Sequence, residues 1–361
     1  MILLRQNIED YNNDFRVSLQ AFYGGERIVI PEIFDRKPEL AGEVDKVFVA
    51  DVTDDGIAIR MYEVTNGLDE LESPACSAHV DVAGNCHDKA AVRNPLKLAI
   101  YEMLSDYTGR KLPWGSLTGI RPTKIAVACM EDGLSEDDIV AHYQEVYGTS
   151  RDKAELAVAV AGREKKIIES VAEEDEYCLY IGIPFCPTRC LYCSFTSYPI
   201  AVYRDKVDTY LDALEREMKF VADAYRNKRL ISVYVGGGTP SSISAEQMDR
   251  LCSMIRDNFD MNCVRDFTIE AGRPDSTTFD KLEVMKRYGV SRISINPQTM
   301  NDETLKTIGR SHTSEQTVKA MEYARKAGFY NINMDLIVGL PGEDTAAVER
   351  TLDQIKALAP E

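Results

Sequence analysis

The chain has 361 residues, of which 44% are hydrophobic and 28% charged, a composition typical of a globular protein long enough for two domains. Its net charge of −17 predicts repulsion from a nucleic-acid backbone, so we expect no nucleic-acid partner. The sequence contains no apolar stretch near the roughly 18 residues of a membrane helix, and its N-terminus turns charged too early for a secretory signal. We therefore expect a cytoplasmic protein without a membrane span.

The first part of the chain, up to about residue 90, shows extended segments separated by turn signals. The segment DKVFVADVTDDGIAIRMYEV (45–64) carries Asp55-Gly56 between two apolar runs, which predicts a β-hairpin. A later segment, CSAHVDVAGNCH (76–87), contains two cysteines and two histidines that could form a zinc site. Their spacing fits no established zinc pattern, so we do not predict a metal there.

Between residues 94 and 174 the apolar positions recur three and four residues apart, which indicates helices. The acidic stretch AEEDEY (172–177) is typical of a linker. We therefore predict an N-terminal α+β domain of unknown role over residues 1–174 and a second domain over residues 175–361.

The second domain alternates strand, loop and helix five times. The predicted strands are YCLYIGIPF (177–185), LISVYVG (230–236), DFTIEAG (266–272), SRISIN (291–296) and NINMDLIVG (331–339). This alternation predicts a parallel sheet, either doubly wound or barrel-like, with its ligands at the carboxyl ends of the strands. Since the chain ends where a sixth strand should begin, we expect it to be a piece of a longer protein.

Three of the nine cysteines lie close together. An odd number of cysteines without an export signal indicates reduced thiols rather than a disulfide framework. Cys186, Cys190 and Cys193 follow the first strand of the second domain with the spacing C-x3-C-x2-C. Three thiolates cannot complete a tetrahedral zinc site alone, whereas a four-iron cluster with three cysteine ligands keeps one iron open to a substrate. The pattern favours a cluster, and a zinc knuckle or three plain thiols are the alternatives.

This loop resembles the signature of the radical S-adenosylmethionine (SAM) enzymes, in which an aromatic residue, here Tyr192, precedes the third cysteine. The stretches YVGGGTPSS, TIEAGRPDS, ISINPQTMNDETLKTIGRSH and NMDLIVGLPGE extend the resemblance to the oxygen-independent coproporphyrinogen III dehydrogenase-like group. The segment LPWGSLTGIRPTKIA (112–126) and the N-terminal domain resemble the subgroup called HemZ. The resemblance implies an α/β fold: a partial (βα) radical SAM barrel with five βα units, cut before its sixth strand, after an α+β domain.

The resemblance also implies the cofactors, a [4Fe–4S] cluster and SAM. Cys186, Cys190 and Cys193 would bind the cluster, and its fourth iron would take the amino and carboxylate groups of SAM. Tyr180 would pack near the sulfonium, which gives it a catalytic as well as a cofactor-binding role; an ordinary strand aromatic is the alternative.

Further contacts to SAM are implied after the second to fifth strands, at Gly237, Gly238, Thr239, Glu270, Gln298, Arg310 and Asp335. The glycines of GGGTP allow a ligand to approach the backbone, and the motif lacks the Lys and Ser/Thr of a phosphate loop. A plain tight turn is its alternative. The charged residues could each form a structural ion pair, although Arg310 suits a carboxylate and Asp335 suits ribose hydroxyls.

The implied reaction begins when a low-potential donor, such as flavodoxin or ferredoxin, supplies an electron that breaks the C–S bond of SAM. The 5′-deoxyadenosyl radical then takes a hydrogen from a tetrapyrrole substrate. With coproporphyrinogen III, propionates would be decarboxylated to vinyl groups in anaerobic haem biosynthesis. Arg189, Arg273 and Arg292 are candidates for binding the substrate carboxylates.

One position departs from the pattern. Coproporphyrinogen dehydrogenases carry a further cysteine two residues after the third, where this chain has Phe195. Chaperone-like relatives also lack that cysteine. The sequence therefore leaves two alternatives to the dehydrogenase, a haem-binding chaperone and a radical SAM methyltransferase that degrades haem.

Overall fold

The computed structural model describes the chain except for residues 31–32, 34–35, 54–55, 66, 69–70, 82–85 and 172–173. The described residues divide into two compact units, Met1–Ser170 and Val171–Glu361. The domain boundary expected near residue 174 stays a prediction, because compactness does not establish that either unit folds alone.

The N-terminal unit contains a five-stranded mixed sheet with the order β2-β1-β3-β4-β5. Its strands are β1 (Ile2–Gln6), β2 (Ile28–Val29), β3 (Lys46–Thr53), β4 (Gly56–Glu63) and β5 (Cys76–Val80). Strands β3 and β4 pair antiparallel from Lys46↔Glu63 to Thr53↔Gly56, which confirms the predicted hairpin. The turn residue Asp55 lies outside the described residues.

Helices cover this sheet and form the rest of the unit. They are α1 (Asn12–Phe22), α2 (Lys89–Thr108), α3 (Pro122–Glu131), α4 (Glu136–Tyr147) and α5 (Arg151–Val171). The helical periodicity after residue 94 is thereby confirmed. Helix α1 was not expected, since the sequence before residue 90 predicts extended segments; Phe15, Leu19 and Phe22 on one side of α1 are buried in the core of the sheet.

The C-terminal unit contains five long strand-and-helix repeats. Its strands are β6 (Glu176–Ile183), β7 (Phe185–Cys186), β8 (Tyr198–Pro199), β9 (Arg229–Gly237), β10 (Asp266–Gly272), β11 (Arg292–Ile295) and β12 (Ile332–Asn333). Its helices are α6 (Ile200–Tyr203), α7 (Val207–Ala224), α8 (Ala245–Asn258), α9 (Phe279–Arg287), α10 (Asp302–Thr307), α11 (Ser314–Lys326) and α12 (Thr345–Leu358).

The main sheet of this unit is all parallel, with the order β12-β11-β10-β9-β6. Each strand lies beside its predecessor, as in a (βα) barrel, whereas a doubly wound sheet reverses its order in the middle. One face of the sheet packs against the helices through buried residues such as Ile183, Val235 and Ile269. The α/β fold class with a partial barrel is confirmed, and the barrel-like alternative holds.

Local interactions explain where several helices and strands of this unit begin and end. Ser244 and Thr313 form capping boxes with Gln247 and Gln316, which satisfy the first backbone N–H groups of α8 and α11. Strand β12 is shorter than the predicted run 331–339, because the chain leaves the ladder after Asn333 and returns only at an isolated bridge.

Among the helices that the structure describes, none is long and apolar enough to cross a membrane.

Candidate active site

The three clustered cysteines lie in a loop that is closed at its base. Strand β7 at the start of the loop pairs in parallel with β8 at its end, with Cys186 opposite Pro199. The Tyr198 N–H also donates to the Pro184 carbonyl at 2.8 Å, and the Cys193 N–H donates to the Cys190 carbonyl at 3.2 Å. We call residues 186–193 the cysteine loop. It begins just past the carboxyl end of β6, where the sequence predicts a site.

The turn after α10 holds the cysteine loop from one side. The Leu191 N–H donates to the Ile308 carbonyl at 3.0 Å, and the Thr188 hydroxyl donates to the Gly309 carbonyl at 3.2 Å. Gly309 has φ +77°, and a Cβ there would lie 3.2 Å from Cγ of Leu191. Glycine is thus required at this turn both by its left-handed backbone and by the close approach of the loop.

Cys186 lies against the GGGTP turn after β9. The Thr239 hydroxyl lies 3.5 Å from Sγ of Cys186 and donates to it. A Cβ on Gly238 would lie 3.0 Å from the same sulfur and 2.8 Å from the Phe185 carbonyl oxygen. Burial raises the pKa of the Cys186 thiol, and the Thr239 hydrogen bond acts in the opposite direction.

A cavity of about 180 Å³ opens beside these residues at the carboxyl ends of the strands. Its lining comes from the cysteine loop, from the ends of β9, β10 and β11, and from the segment after β12. The lining residues are Cys186, Thr188, Cys190, Tyr192, Cys193, Phe195, Ser197, Gly237, Gly238, Thr239, Glu270, Arg273, Asn296, Gln298, Arg310 and Asp335. Ten of the eleven residues that the sequence assigns to the site therefore border one cavity.

Tyr180 is the assigned residue outside this lining. Its side chain is 63% exposed, and its ring stacks on Tyr234 of the neighbouring strand with 6.0 Å between centroids and 12° between planes. Tyr180 and Tyr234 are register partners in β6 and β9, so both rings lie on the sheet face opposite the helices. Its catalytic role stays a prediction.

Glu270 is placed by a tyrosine that the sequence analysis missed. The Tyr234 hydroxyl donates to Oε1 of Glu270 at 2.6 Å. Burial raises the pKa of the Glu270 carboxyl; the Tyr234 hydrogen bond opposes this shift, and the carboxylate of Asp335 adds to it. Strand alternation could have indicated Tyr234, because it shares the face of Tyr180 and Glu270.

Gln298 and Asp335 meet where the fourth and fifth strands end. The Gln298 N–H donates to the Asp335 carbonyl at 3.0 Å, and the Ile337 N–H donates to the Gln298 carbonyl at 2.9 Å. Gln298 has φ +70°, a left-handed conformation that is costly for a residue with a side chain. Asp335 is exposed, and its carboxylate accepts from the Asn333 amide at 2.8 Å.

Arg310 connects the fourth strand to the cysteine loop. Its Nε donates to the hydroxyl of Tyr192 at 3.2 Å, and its Nη1 donates to the Asn296 carbonyl. Burial raises the pKa of Tyr192, and the Arg310 charge opposes that shift. Arg310 therefore orders the aromatic residue between the second and third cysteines.

The three arginines expected at the substrate mouth have different positions. Arg189 is exposed in the cysteine loop. Arg273 borders the cavity but is 2% exposed, and its guanidinium binds protein groups. The prediction for Arg292 is wrong: this first residue of β11 lies at the amino end of the sheet, where it pairs with Asp266 at 3.4 Å. The sequence placed it beside a strand without distinguishing the two ends.

The residues of the structure fit an iron–sulfur cluster by their chemistry. Three thiols of one loop border one cavity, and Gly238 leaves room beside the first sulfur. Within the described ranges, no group of three or more His, Cys, Asp or Glu side chains is already gathered in a geometry that could hold a metal ion. A four-iron cluster differs from a single ion, because each cysteine would bind a different iron and the three sulfurs need not meet at one point.

The size of the cavity bears on SAM as well. Its volume lies below the roughly 300 Å³ at which small-molecule pockets usually begin, so bound cofactors would also cover the open face of the sheet. Tyr180, Tyr234 and Glu270 lie on that face.

Both histidines and Cys86 of the segment CSAHVDVAGNCH make separate contacts in the described part of the N-terminal unit. His79 pairs with Asp81 at 3.2 Å, and His87 lies 3.1 Å from Asp10. Cys86 is buried, and its carbonyl accepts from Tyr11. Residues 82–85 lie outside the described part of the chain, and the rest gives no support to zinc binding.

Comparison with known proteins gives a consistent set of relatives. A family model described as "Radical SAM superfamily" matches residues 180–355. The "oxygen-independent coproporphyrinogen-III oxidase-like protein HemZ" of Bacillus subtilis is 40% identical over 75% of this chain and 55% of its own.

Two further relatives have different descriptions. The "heme chaperone HemW" of B. subtilis is 38% identical over 50% of this chain and 48% of its own. The "oxygen-independent coproporphyrinogen III oxidase" of Escherichia coli is 31% identical over 55% of this chain and 43% of its own. The chain thus spans about half the length of the curated relatives that it matches.

Proposed function

Because residues 180–355 form a radical SAM domain, we propose that this protein cleaves SAM reductively and uses the product to oxidise a tetrapyrrole. A [4Fe–4S] cluster and SAM are the cofactors of this family. The favoured reaction is the oxidative decarboxylation of coproporphyrinogen III propionates to vinyl groups. The tetrapyrrole is supported by the names of the relatives, two of which refer to coproporphyrinogen III.

One observation carries the proposal: a single cavity is bordered by three thiols of one loop and by polar residues from the ends of four further strands. These residues are separated by up to about 150 positions in the sequence, and the parallel sheet brings them to one edge. Such convergence at the carboxyl ends of strands is typical of an active site and has no role in packing the core.

The residues of the chain have distinct roles in this proposal. Cys186, Cys190 and Cys193 would hold the cluster, which together with SAM supplies a one-electron, hydrogen-abstracting reagent when bound. Glu270 would accept from the amino group of SAM, and Tyr234 fixes its carboxylate. Arg310 fixes Tyr192 and thereby the turn between the second and third cysteines.

Further roles concern the ligand and the exclusion of water. Gly237 and Gly238 would let the methionyl group approach the backbone, with the buried Thr239 beside it. Gln298 and Asp335 would bind the nucleoside, Asp335 as an acceptor from hydroxyls. The ring of Tyr180, stacked on Tyr234, would cover the reacting atoms on the open face of the sheet and limit access of water.

In the decarboxylation, a hydrogen atom would pass from the β-carbon of a propionate to the 5′-deoxyadenosyl group derived from SAM, which would become 5′-deoxyadenosine. The carboxylate would leave as carbon dioxide, and the remaining electron would pass to an external one-electron acceptor, so that a vinyl group is left. A flavodoxin or ferredoxin would supply the electron that cleaves SAM.

The test uses the purified protein, reconstituted with iron and sulfide in the absence of oxygen and incubated with a reductant, SAM and coproporphyrinogen III. Chromatography should show 5′-deoxyadenosine and vinyl porphyrins together. Cys190→Ala should abolish both products, because the cluster loses a ligand. Cys178→Ala, which changes an exposed thiol of β6 outside the cavity, is the matched control and should keep them.

A haem-binding chaperone is the second candidate, and Phe195 favours it. This residue occupies the position of the further cysteine and borders the cavity with a side chain that is 65% exposed. An exposed aromatic ring beside the site suits the apolar face of a macrocycle. A Soret band on titration with haem, without 5′-deoxyadenosine, would select the chaperone. Deoxyadenosine with haem as substrate and a linear tetrapyrrole product would select the degrading methyltransferase.

A further inference from the structure

Arg273 is the largest side chain that is fully buried in the described chain, with 2% of its surface exposed. It follows β10 directly, in the segment EAGRPDS, and borders the candidate cavity. A guanidinium is seldom buried unless its charge and its donors are satisfied, so its partners indicate why it is there.

The first set of contacts joins Arg273 to Asp275, two residues further along the same loop. Nε of Arg273 donates to Oδ1 of Asp275 at 3.0 Å, and Nη2 donates to Oδ2 at 2.7 Å. This bidentate pair neutralises the guanidinium and fixes the plane of its five donors. The plane then determines where the other N–H groups point.

The second set of contacts leaves the loop and reaches the cysteines. Nη1 of Arg273 donates to the Thr188 carbonyl at 3.1 Å and to the Thr188 hydroxyl at 2.7 Å. Nη2 also donates to the Ser311 hydroxyl at 2.9 Å. Thr188 lies midway between Cys186 and Cys190, so the guanidinium holds the centre of the segment that carries the first two thiols.

These contacts join three segments that are far apart in the sequence. Thr188 is 85 residues from Arg273, and Ser311 is 38 residues from it. The Thr188 hydroxyl donates a hydrogen bond to the Gly309 carbonyl, so Arg273 and the turn after α10 hold the same threonine from two sides. A lysine ammonium could not satisfy a carboxylate in bidentate fashion and both oxygens of Thr188 at once.

We propose that Arg273 is a positioning residue, which fixes Thr188 and thereby sets the spacing of Cys186 and Cys190 for metal binding. The inference rests on the proposed function only in its last step, the binding of a cluster. Arg273 does not bind substrate carboxylates, because Asp275, Thr188 and Ser311 take its donors.

The first experiment measures, in the absence of metal, how well the cysteine loop resists proteolysis. Arg189 is exposed inside the cysteine loop, so trypsin cleavage after Arg189 reports how often the loop opens. In the metal-free full chain, Arg273→Ala combined with Asp275→Ala removes the contacts without leaving a buried charge alone. Cleavage after Arg189 should become at least about tenfold faster, since several charge-assisted hydrogen bonds are lost.

Arg292→Ala is the matched control, because it breaks another arginine–aspartate pair of the same sheet at the opposite strand ends. Its cleavage rate should stay within about twofold of the unmodified chain. Should the double variant fail to fold, as judged by circular dichroism, Thr188→Val and Arg273→Lys give the same test with smaller changes. Wild-type cleavage in a folded double variant, or in both milder variants, would overturn the proposal.

The second experiment measures iron binding and the spectrum of the bound cluster. After reconstitution with iron and sulfide, the double variant should bind less iron than the unmodified chain and show a broadened electron paramagnetic resonance signal of the reduced cluster. Arg273→Lys should recover part of the iron. Unchanged iron and an unchanged spectrum would refute a role in positioning the thiols. A failure of the unmodified chain to bind iron would instead count against the proposed function, while the proteolysis result would still decide whether Arg273 orders the loop.

Discussion

The two five-stranded sheets use the polar residues at their strand ends in different ways. In the N-terminal unit, the amide of Asn7 after β1 donates to the Val52 carbonyl and accepts from the Val52 N–H, both at 2.7 Å. In the C-terminal unit, Glu270 at the end of β10 accepts from the Tyr234 side chain while its carboxylate borders a cavity. The first arrangement satisfies the backbone of a neighbouring strand, and the second leaves a carboxylate at the wall of a cavity.

This difference shows which polar strand ends indicate function. A polar residue that satisfies the backbone of a neighbouring strand lowers the cost of burying that backbone. A charged residue such as Glu270, held by another side chain at the edge of a cavity, adds a cost of its own, because its carboxylate loses contact with water. Equivalent substitutions should therefore have different consequences in the two units.

The largest effect is expected for Gly238→Ala in the C-terminal unit. The new methyl group would lie 2.8 Å from the Phe185 carbonyl oxygen and 3.0 Å from Sγ of Cys186, so the backbone must shift. We expect the free energy of unfolding to fall by about 1–3 kcal/mol, as in other overpacked sites, and iron binding to be lost. Chemical denaturation and an iron assay measure both. Normal iron content in the variant would mean that the turn after β9 does not constrain Cys186.

The next effect concerns pH and His312, which is 2% exposed in the C-terminal unit. Burial first, and then the charge of Arg310, lower its pKa to about 4; Arg273 adds to the shift and Asp275 opposes it. Since the unfolded ring has a pKa of about 6.5, the folded state binds fewer protons between these values. Stability should therefore fall by about 2 kcal/mol as pH drops from about 7 to about 5.

Denaturation at the two pH values measures this loss, which His312→Leu should remove. The matched control is His142→Leu on α4 of the N-terminal unit, where the ring is partly exposed. It should keep the pH dependence of the unmodified chain. Equal pH dependence in the His312→Leu variant would show that other groups cause the loss.

Glu270→Gln should have a smaller effect and should increase, rather than decrease, the stability of the fold at neutral pH. The pKa of this carboxyl is raised by burial, so the folded state holds its proton more firmly than the unfolded state does. Above the raised pKa the buried charge destabilises the fold, and Gln should add about 0.5–2 kcal/mol at neutral pH. That gain should vanish as pH falls below the ordinary carboxyl range. Isothermal titration should show weaker binding of SAM.

The N-terminal unit supplies the comparison for that change. Glu63 also accepts a hydrogen bond from a tyrosine, Tyr107, but this pair is exposed. Glu63→Gln should leave stability unchanged within about 0.5 kcal/mol, because an exposed charge carries little desolvation cost. A gain equal to that of Glu270→Gln would contradict the role of burial.

The smallest effect is expected for Gly162→Ala in helix α5. Apart from its chain neighbours and the backbone of its own helix, no atom of the described residues lies within 4 Å of a Cβ at this position, and its backbone is helical. Alanine should therefore stabilise the N-terminal unit by about 0.5–1 kcal/mol through helix propensity. Thermal denaturation of the full chain measures the change. A destabilised variant would contradict the open space found beside Gly162.

The sequence predicts much of the C-terminal unit because its signals are local. The run DFTIEAG coincides with β10, and the predicted second strand differs from β9 by one residue at each end. Alternation of apolar and polar residues and the glycine-rich turns depend only on near neighbours. The individual cavity residues are implied by the resemblance to the radical SAM enzymes, and the parallel sheet explains why their strand ends meet at one edge.

The remaining features depend on contacts between distant parts of the chain. No local pattern connects Arg273 with Thr188 or Tyr234 with Glu270. The sequence therefore offers Arg273 only as a candidate for substrate carboxylates and gives no sign of Tyr234. Helix α1 was missed for a similar reason, because its periodicity lies among segments with turn signals. The fifth strand was overestimated, since apolar composition continues after the chain has left the ladder at Asn333.

The left-handed backbone of Gln298 should influence which residue is selected at this position. Glycine would adopt the left-handed backbone of this position at a lower cost, which should raise the free energy of unfolding by roughly 1 kcal/mol. A laboratory evolution experiment that rewards heat resistance alone should therefore replace Gln298 by Gly or Asn. Selection for turnover should restore the glutamine if, as proposed, its side chain in the cavity wall binds the nucleoside of SAM. The identity of this single position would then report which of the two demands the population has faced.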